Sequence, residues 1–238
     1  NDFEFVAKAD FIAICVPTPL DEHQQPDISY VKNSTIEIAK YFGGEIVSAD
    51  SMQIYKEMQI ATAKPDEAEM DGVKHHLIDF LNPDENFSVA DYLLLARKCI
   101  DDIISRCKQP IICGGTGLYI SSLVDNIVFD DTSSNDEIRN RLTKEAKELG
   151  NEAMLKKLME IDPETAKTLH PNNLTRIIRA IEAYELSGKT MSELKKQSRE
   201  EESPYNACMI GLTFSDRELL YDRINLRVDK MMAEGLLR

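Results

Sequence analysis

Asp50 is the first residue of the chain whose position suggests chemistry. It follows the strand-like run "EIVSA" and precedes the polar residues Ser51 and Gln53. An acid at the end of a buried strand can serve as a general base, because its carboxylate can accept a proton from a group held at that edge. The same residue type often only caps the next turn or helix. The pattern favours a general base and leaves the capping alternative open.

The segment "ICGGTGLY" is a second candidate, because it also follows an apolar run directly. Gly114, Gly115 and Gly117 allow the backbone to turn its N–H groups toward an anion, and Thr116 adds a hydroxyl. An ordinary tight turn from strand to helix would have the same composition. Spacing alone does not decide between these two interpretations.

A complete P-loop, GxxxxGK[ST] directly after a strand, is absent from the 238 residues, as is a complete GxGxxG. The segment "SGKT" resembles the end of a P-loop, but the position five before Gly188 is Ala183, and a helical pattern precedes it. The position is typical of a glycine that ends a helix.

Two pairs of arginines are spaced to share a helix face, Arg176 with Arg179 and Arg223 with Arg227. Either pair could bind phosphate or form surface ion pairs, and Glu182 is a candidate partner of Arg179. The spacing leaves both possibilities open.

The sequence predicts no metal centre and no disulfide framework. His75 and His76 are adjacent and therefore point in different directions, which makes them a poor metal pair. The cysteines are odd in number and lack CxxC spacing, as expected of reduced thiols in a cytosolic protein. They are Cys15, Cys99, Cys107, Cys113 and Cys208.

The first half of the chain has the pattern of an α/β fold. The runs "FIAICVP", "EIVSAD" and "PIICGG" are short, apolar and bounded by Pro, Gly or Asp, as buried parallel strands are. A helical pattern with Ser88 as N-cap lies between the last two. Strand, helix and strand in this order predict a parallel sheet.

Helical patterns dominate from residue 135 to about 200, and they predict a helical insertion. A strand, "ESPYNACMIGLTF", then returns to the sheet. The final segment predicts an amphipathic helix with an apolar stripe. The stripe consists of Leu220, Ile224, Val228 and Met231.

The composition and charge distribution of the chain limit the kinds of partner that it can bind. The chain is 42% hydrophobic and 29% charged, with a net charge of −14, and no apolar run approaches the length of a membrane span. The N-terminus lacks the order of a secretory signal. Residues 1–134 carry 10 Lys or Arg against 23 Asp or Glu, whereas residues 135–238 carry 18 against 19. A polyanion would therefore meet the second half.

Five ordered blocks resemble the tRNA dimethylallyltransferase family over about residues 36–238. They are "GGEIVSADSMQIYKEMQIATAKP", "GVKHHLIDFLNPDENFSVADY", "PIICGGTGLYISSLV", "DPETAKTLHPNNLTRIIRAIEAYELSGKT" and "LYDRINLRVDKMMAEGL". The resemblance implies transfer of a dimethylallyl group from dimethylallyl diphosphate to the exocyclic amine of the adenosine 3′ of the tRNA anticodon. It also implies a cytoplasmic, nucleotide-binding monomer that uses Mg²⁺.

The same resemblance implies an α/β fold with a P-loop-kinase-like parallel sheet core, in residues 36–134 and 201–238. Residues 135–200 would form the helical insertion that faces tRNA. Asp50 would be the general base, Thr116 would lie beside the reaction centre, and Arg227 would bind diphosphate. The residues expected to contact tRNA are Asp50, Ser51, Met52, Gln53, Arg139, Thr175, Arg176, Ile177, Ile178 and Arg179.

Residues 1–35 depart from this pattern. The family opens with a P-loop strand, whereas residues 8–35 here resemble a segment of the nucleotide-sugar (UDP-glucose/GDP-mannose) dehydrogenases, without that family's GxGxxG or its catalytic Cys and Lys motifs. The chain also stops at Arg238, before the family's C-terminal part. We therefore expect weak or absent turnover. The alternatives are an inactive tRNA-binding relic and a dehydrogenase fragment.

Overall fold

The computed structural model describes residues 9–15, 29–127, 135–198, 201–211 and 217–237. Within these ranges the strands are β1 (Phe11–Cys15), β2 (Glu45–Ser48), β3 (His75–His76), β4 (Pro110–Gly114) and β5 (Ala207–Gly211). The helices are α1 (Ser29–Tyr41), α2 (Glu67–Met70), α3 (Val89–Ser105), α4 (Gly117–Val124), α5 (Asp136–Leu149), α6 (Asn151–Ile161), α7 (Pro163–Ala166), α8 (Leu174–Ser187), α9 (Met191–Gln197) and α10 (Arg217–Ala233).

The five strands form one parallel sheet in the order β3-β2-β4-β1-β5. The structure confirms the four predicted strands, which are β1, β2, β4 and β5. Ile12 is in register with Ile111 of β4 and with Cys208 of β5. The run "FIAIC" therefore lies inside the sheet, between two neighbours.

Helices cover both faces of β1, β2 and β4, which explains why these three strands are mainly apolar. Phe11 and Ala13 of β1 pack with residues of α3 and α4 in one core cluster. Ile12 and Ile14 face the opposite way and pack with residues of α1 in another. The alternation follows from the two-residue period of a strand.

Helix α3 begins where its sequence predicts. The Ser88 hydroxyl accepts the Asp91 N–H at 3.2 Å, and an Asp91 carboxylate oxygen accepts the Ser88 N–H at 2.9 Å. This reciprocal pair satisfies donors that a helix start leaves unpaired. The capped helix packs against both β2 and β4.

The described residues divide into two compact units. One takes those within Asn1–Val124 and Ser203–Arg238, and the other takes those within Asp125–Glu202. The second unit contains α5 to α9, whose apolar faces form a separate core that includes Leu142, Met154 and Ile181. Gly188 ends α8 in the left-handed conformation, φ 71°, as predicted.

The apolar stripe of α10 differs from expectation, because no described residue of this helix is buried. Ile224 and Val228 are each 49% exposed, since no described element covers them. Periodicity identified the helix but could not show what packs on it. No helix in the described ranges is long and apolar enough to cross a membrane.

Candidate active site

Asp50 lies two residues past the end of β2, in a turn that its own side chain organises. Its Oδ1 accepts the backbone N–H of Met52 at 2.8 Å and that of Gln53 at 3.2 Å. The capping role left open by the sequence is therefore present. Both bonds use one oxygen, and Oδ2 has no hydrogen bond among the described residues. The turn thus orients a half-buried carboxylate and keeps one oxygen available to accept a proton.

Thr116 meets this turn from the neighbouring strand. Its Oγ1 accepts the Ser51 N–H at 2.9 Å and donates to the Ser51 hydroxyl at 3.2 Å. The Thr116 N–H donates to the Ala49 carbonyl at 3.0 Å. The ends of β2 and β4 are thus joined, and two sequence-predicted site residues, Asp50 and Thr116, stand at one edge of the sheet.

Gly114 allows the close approach of these two strand ends. A Cβ at this position would lie 2.3 Å from the carbonyl carbon and oxygen of Ala49, whereas Gly115 and Gly117 have open space around theirs. The predicted glycine loop therefore contains one sterically required glycine. The Thr116 N–H is already bonded to Ala49, so it cannot serve the anion cradle that the sequence suggested.

The residues after Asp50 are supported by a second segment, residues 77–81. The Asp79 N–H donates to the Gln53 carbonyl at 2.9 Å, and the Lys56 N–H donates to the Leu81 carbonyl at 2.8 Å. The Gln53 amide donates to the Thr62 carbonyl at 3.1 Å. The side chain of Gln53 is therefore engaged within the protein.

Two stacked tyrosines lie next to the turn. The rings of Tyr92 (α3) and Tyr119 (α4) are nearly parallel at 8°, with centroids 4.0 Å apart, and both are buried. Burial raises the pKa of Tyr119, and the neighbouring Tyr55 and Asp50 raise it further. The phenol of Tyr119 therefore stays neutral beside Asp50 across the physiological range.

Glu45 occupies the opposite end of β2 and has a different environment. Its oxygens accept from Arg106 Nη1 at 2.5 Å, Lys108 Nζ at 2.7 Å and His76 Nε2 at 2.7 Å, and its side chain is only 3% exposed. The second histidine, His75, bonds the Val73 carbonyl through Nδ1. The two histidines therefore bond different partners.

The predicted tRNA-facing residues of the helical unit differ in exposure. Thr175, Arg176 and Arg179 are exposed, and no ion pair joins either arginine to an acid in the described part of the chain. The side chains of Ile177 and Ile178 are buried in the helical core. The exposed three present a surface, whereas the two isoleucines hold the helix that carries it.

Among the predicted tRNA-facing residues of the helical unit, Arg139 forms an ion pair with an acid. Its Nη2 donates to Oε2 of Glu182 at 3.1 Å, and the other oxygen, Oε1, accepts the Asn135 N–H at 3.0 Å. The buried Glu182 therefore pairs with Arg139, and the suggested pairing with Arg179 is wrong. Arg227 lies on α10 and has no ion pair among the described residues.

Sequence reasoning gave no role to Lys64 or Tyr119. Lys64 is a buried lysine within a polar run, and nothing in its spacing distinguishes it from a solvated one. Tyr119 lies in the first turn of α4, and its N–H donates to the carbonyl of Thr116, just before the helix, at 2.9 Å. Its position three residues after Thr116 could have identified it.

A family model described as "IPP transferase" matches residues 53–238. A tRNA dimethylallyltransferase of Acetivibrio thermocellus is 54% identical over 213 residues, which cover 90% of this chain and 68% of the relative. One from Thermoanaerobacter sp. is 47% identical over 213 residues, covering 89% and 68%. The chain thus spans about two thirds of the length of these relatives.

Solved structures give the same picture. A tRNA isopentenylpyrophosphate transferase from Bacillus halodurans matches with a TM-score of 0.60 and 41% identity, over 95% of this chain and 67% of that one. A eukaryotic dimethylallyltransferase acting on tRNA matches with a TM-score of 0.73 and 28% identity, over 95% and 54%. These matches support the transferase resemblance and give the dehydrogenase resemblance of residues 8–35 no support.

Proposed function

Because the chain belongs to the IPP transferase family, we propose that it transfers the dimethylallyl group of dimethylallyl diphosphate to a tRNA. The acceptor is the exocyclic amine of the adenosine 3′ of the anticodon. The family match over residues 53–238 carries this proposal. The joined strand ends support it, since they present one oriented carboxylate next to a hydroxyl.

The proposed reaction forms a bond between the adenine nitrogen and the C1 carbon of the dimethylallyl group. The bond from that carbon to the diphosphate oxygen breaks, and its electron pair leaves with the diphosphate. Oδ2 of Asp50 takes the proton of the amine, which is otherwise a poor nucleophile. Thr116 lies beside the amine, and Arg227 meets the charge that grows on the diphosphate.

We propose that tRNA contacts come from both units. The turn of Asp50, Ser51, Met52 and Gln53 faces the target base, which must leave its stack to reach it. The second surface lies on the helical unit, where Arg176 and Arg179 have no acid partner among the described residues, and Thr175 and Arg139 lie with them. We further propose a P-loop-kinase-like core and a cytoplasmic monomer.

Magnesium enters this proposal with the substrate. Among the described residues, no group of three or more His, Cys, Asp or Glu side chains could hold a metal ion. The side chains in the described ranges therefore supply no such group. The expected requirement for Mg²⁺ is tested by adding a chelator to the transfer assay.

We further propose slow turnover for the 238-residue chain, because it contains no complete P-loop motif. A P-loop supplies several N–H donors and a lysine charge to bound phosphate. Pro17, Thr18 and Pro19 follow β1 in sequence and lie outside the described residues.

The test is a transfer assay with an unmodified anticodon stem-loop, labelled dimethylallyl diphosphate and Mg²⁺, with the product nucleoside identified by mass. Slow formation of a dimethylallylated adenosine supports both proposals. RNA binding without any product would indicate the inactive relic. Turnover equal to that of the Acetivibrio thermocellus relative would contradict slow turnover and leave the transferase assignment standing.

A further inference from the structure

Lys64 is an unusual lysine because it is buried at the reaction edge. Only 3% of its side chain is exposed, although the polar run that contains it begins at Asp50. Lysine is rarely this buried unless its ammonium group is paired. The burial also means that Lys64 cannot reach a phosphate of a bound RNA.

The ammonium group joins the two segments that support the turn. It donates to the Tyr55 carbonyl at 2.6 Å and to a carboxylate oxygen of Asp79 at 2.5 Å. Tyr55 belongs to the chain that leaves the turn, and Asp79 belongs to residues 77–81. One cation thus links both segments.

Backbone strain is concentrated around this pair. Ala63 (φ 50°) precedes Lys64, and its partner Asp79 (φ 56°) is also left-handed. Non-glycine residues adopt this conformation at a cost, and they persist in it only where the surrounding contacts hold them. The bonds of Lys64 are among those contacts.

Gln53 connects this pair to Asp50. Its N–H donates to Oδ1 of Asp50 at 3.2 Å, and its carbonyl accepts the Asp79 N–H at 2.9 Å. Its amide reaches the Thr62 carbonyl, two residues before Lys64. Every step from Lys64 to the carboxylate is therefore a direct contact.

We propose that Lys64 is a positioning residue that holds the turn of Asp50 to Tyr55 in its RNA-facing geometry through Asp79, without touching RNA. The inference rests on the proposed function. An exposed lysine would support RNA binding by contacting a phosphate, whereas the buried Lys64 supports it by holding the turn in place. Its loss should weaken RNA binding while leaving the number of phosphate contacts unchanged.

The first experiment measures stem-loop affinity against salt concentration for Lys64→Met, Arg179→Gln and the unsubstituted chain. For Lys64→Met we expect an affinity loss of about tenfold with an unchanged salt slope, since charged hydrogen bonds are lost but no phosphate contact is. For Arg179→Gln the slope should fall by about 0.7 to 0.9, the value of one phosphate contact. Lys40→Met, which breaks the exposed pair of Lys40 with Asp71, is the matched control.

A double-mutant cycle tests whether Lys64 acts through Asp79. Asp79→Asn should weaken RNA binding as well, and the double variant should bind no worse than the weaker single one, because both changes remove the same pair. Where turnover is measurable, KM for RNA should rise about tenfold and KM for dimethylallyl diphosphate should stay within about twofold.

Two results would overturn the proposal. One is unchanged RNA affinity in Lys64→Met, and the other is a fall in its salt slope equal to that of Arg179→Gln. If the unsubstituted chain binds no RNA, the proposed function fails separately. Amide hydrogen exchange then decides the positioning role, since Met52 and Gln53 should exchange faster in Lys64→Met than in Lys40→Met, and equal rates would reject it.

Discussion

Strand β2 has an acid at each end, and the two acids have opposite surroundings. Glu45, at the start, is buried and accepts hydrogen bonds from an arginine, a lysine and a histidine. Asp50, past the end, is half-buried and accepts two backbone N–H groups on one oxygen. No cation among the described residues bonds Asp50.

The difference shows how partners, rather than residue type, decide what an acid can do. The Arg106 guanidinium, helped by Lys108 and His76, holds the pKa of Glu45 well below its ordinary value of 4.5, and outweighs the opposite effect of burial. Such a carboxylate does not accept protons near neutral pH, so its role is structural. Asp50 keeps one oxygen free of internal bonds, at the edge where parallel sheets bind ligands.

Asp50→Asn should produce the largest effect, and it tests whether Asp50 is the acid with the chemical role. The amide oxygen can still accept the N–H groups of Met52 and Gln53, but it cannot take a proton. Turnover should fall by about a hundredfold to ten-thousandfold. Single-turnover transfer measures this, with the exposed Asp84→Asn as control. A loss below about tenfold would reject the role of base.

Glu45→Gln tests whether Glu45 is the acid with the structural role. The substitution removes the charge that Arg106 and Lys108 share, which should lower the free energy of unfolding by about 2 kcal/mol. The melting temperature should drop by about 4–8 °C. Transfer per folded molecule should stay within about twofold. A variant that melts normally but transfers poorly would give Glu45 the chemical role instead.

Acid should reduce the difference in melting temperature between Glu45→Gln and the unsubstituted chain. Because the folded-state pKa of Glu45 is lowered, its stabilising contribution is fully present above the unfolded value, near 4.5, and is lost as the pH falls through the folded one. The gap in melting temperature should therefore narrow steadily from pH 5 to pH 3. Glu37→Gln, on the exposed face of α1, should show no such trend. A constant gap for Glu45→Gln would contradict the assignment.

Gly114→Ala should sharpen the comparison by disturbing the close approach of the two strand ends. The new Cβ would lie 2.3 Å from Ala49 and push apart the strand ends that carry Asp50 and Thr116. Overpacking of this kind costs about 1–3 kcal/mol. Thermal unfolding against Gly115→Ala, where the Cβ meets open space, isolates the steric term. Equal melting temperatures for Gly114→Ala and Gly115→Ala would show that the strand ends can separate at no cost in stability.

Much of the fold could be predicted from local pattern. The buried strands of β1, β2 and β4 are apolar runs, and α3 begins at the capping pair Ser88 and Asp91, because these signals are contained within a few residues. The two-residue strand β3 was missed, since a strand that short has no periodicity. The pattern predicted the apolar stripe of α10 but not its exposure, because a pattern does not show what covers a face.

The site was predictable only in part, for the same physical reason. Asp50 and Thr116 follow strands, so the topology rule placed both at one edge. The burial of Lys64, the engagement of Gln53 and the pairing of Arg139 with Glu182 depend on contacts between residues distant in sequence. Side-chain partners of that kind carry no local signal.

The stacked tyrosines have an optical consequence. The chain contains no tryptophan and 8 tyrosines, so its near-ultraviolet spectrum comes chiefly from tyrosine. Only rings held in fixed packing give a strong circular dichroism signal in that region. Tyr92 and Tyr119 form such a pair, and Tyr119 lies close enough to Asp50 to feel its charge. The protein thus carries an intrinsic spectroscopic probe beside Asp50.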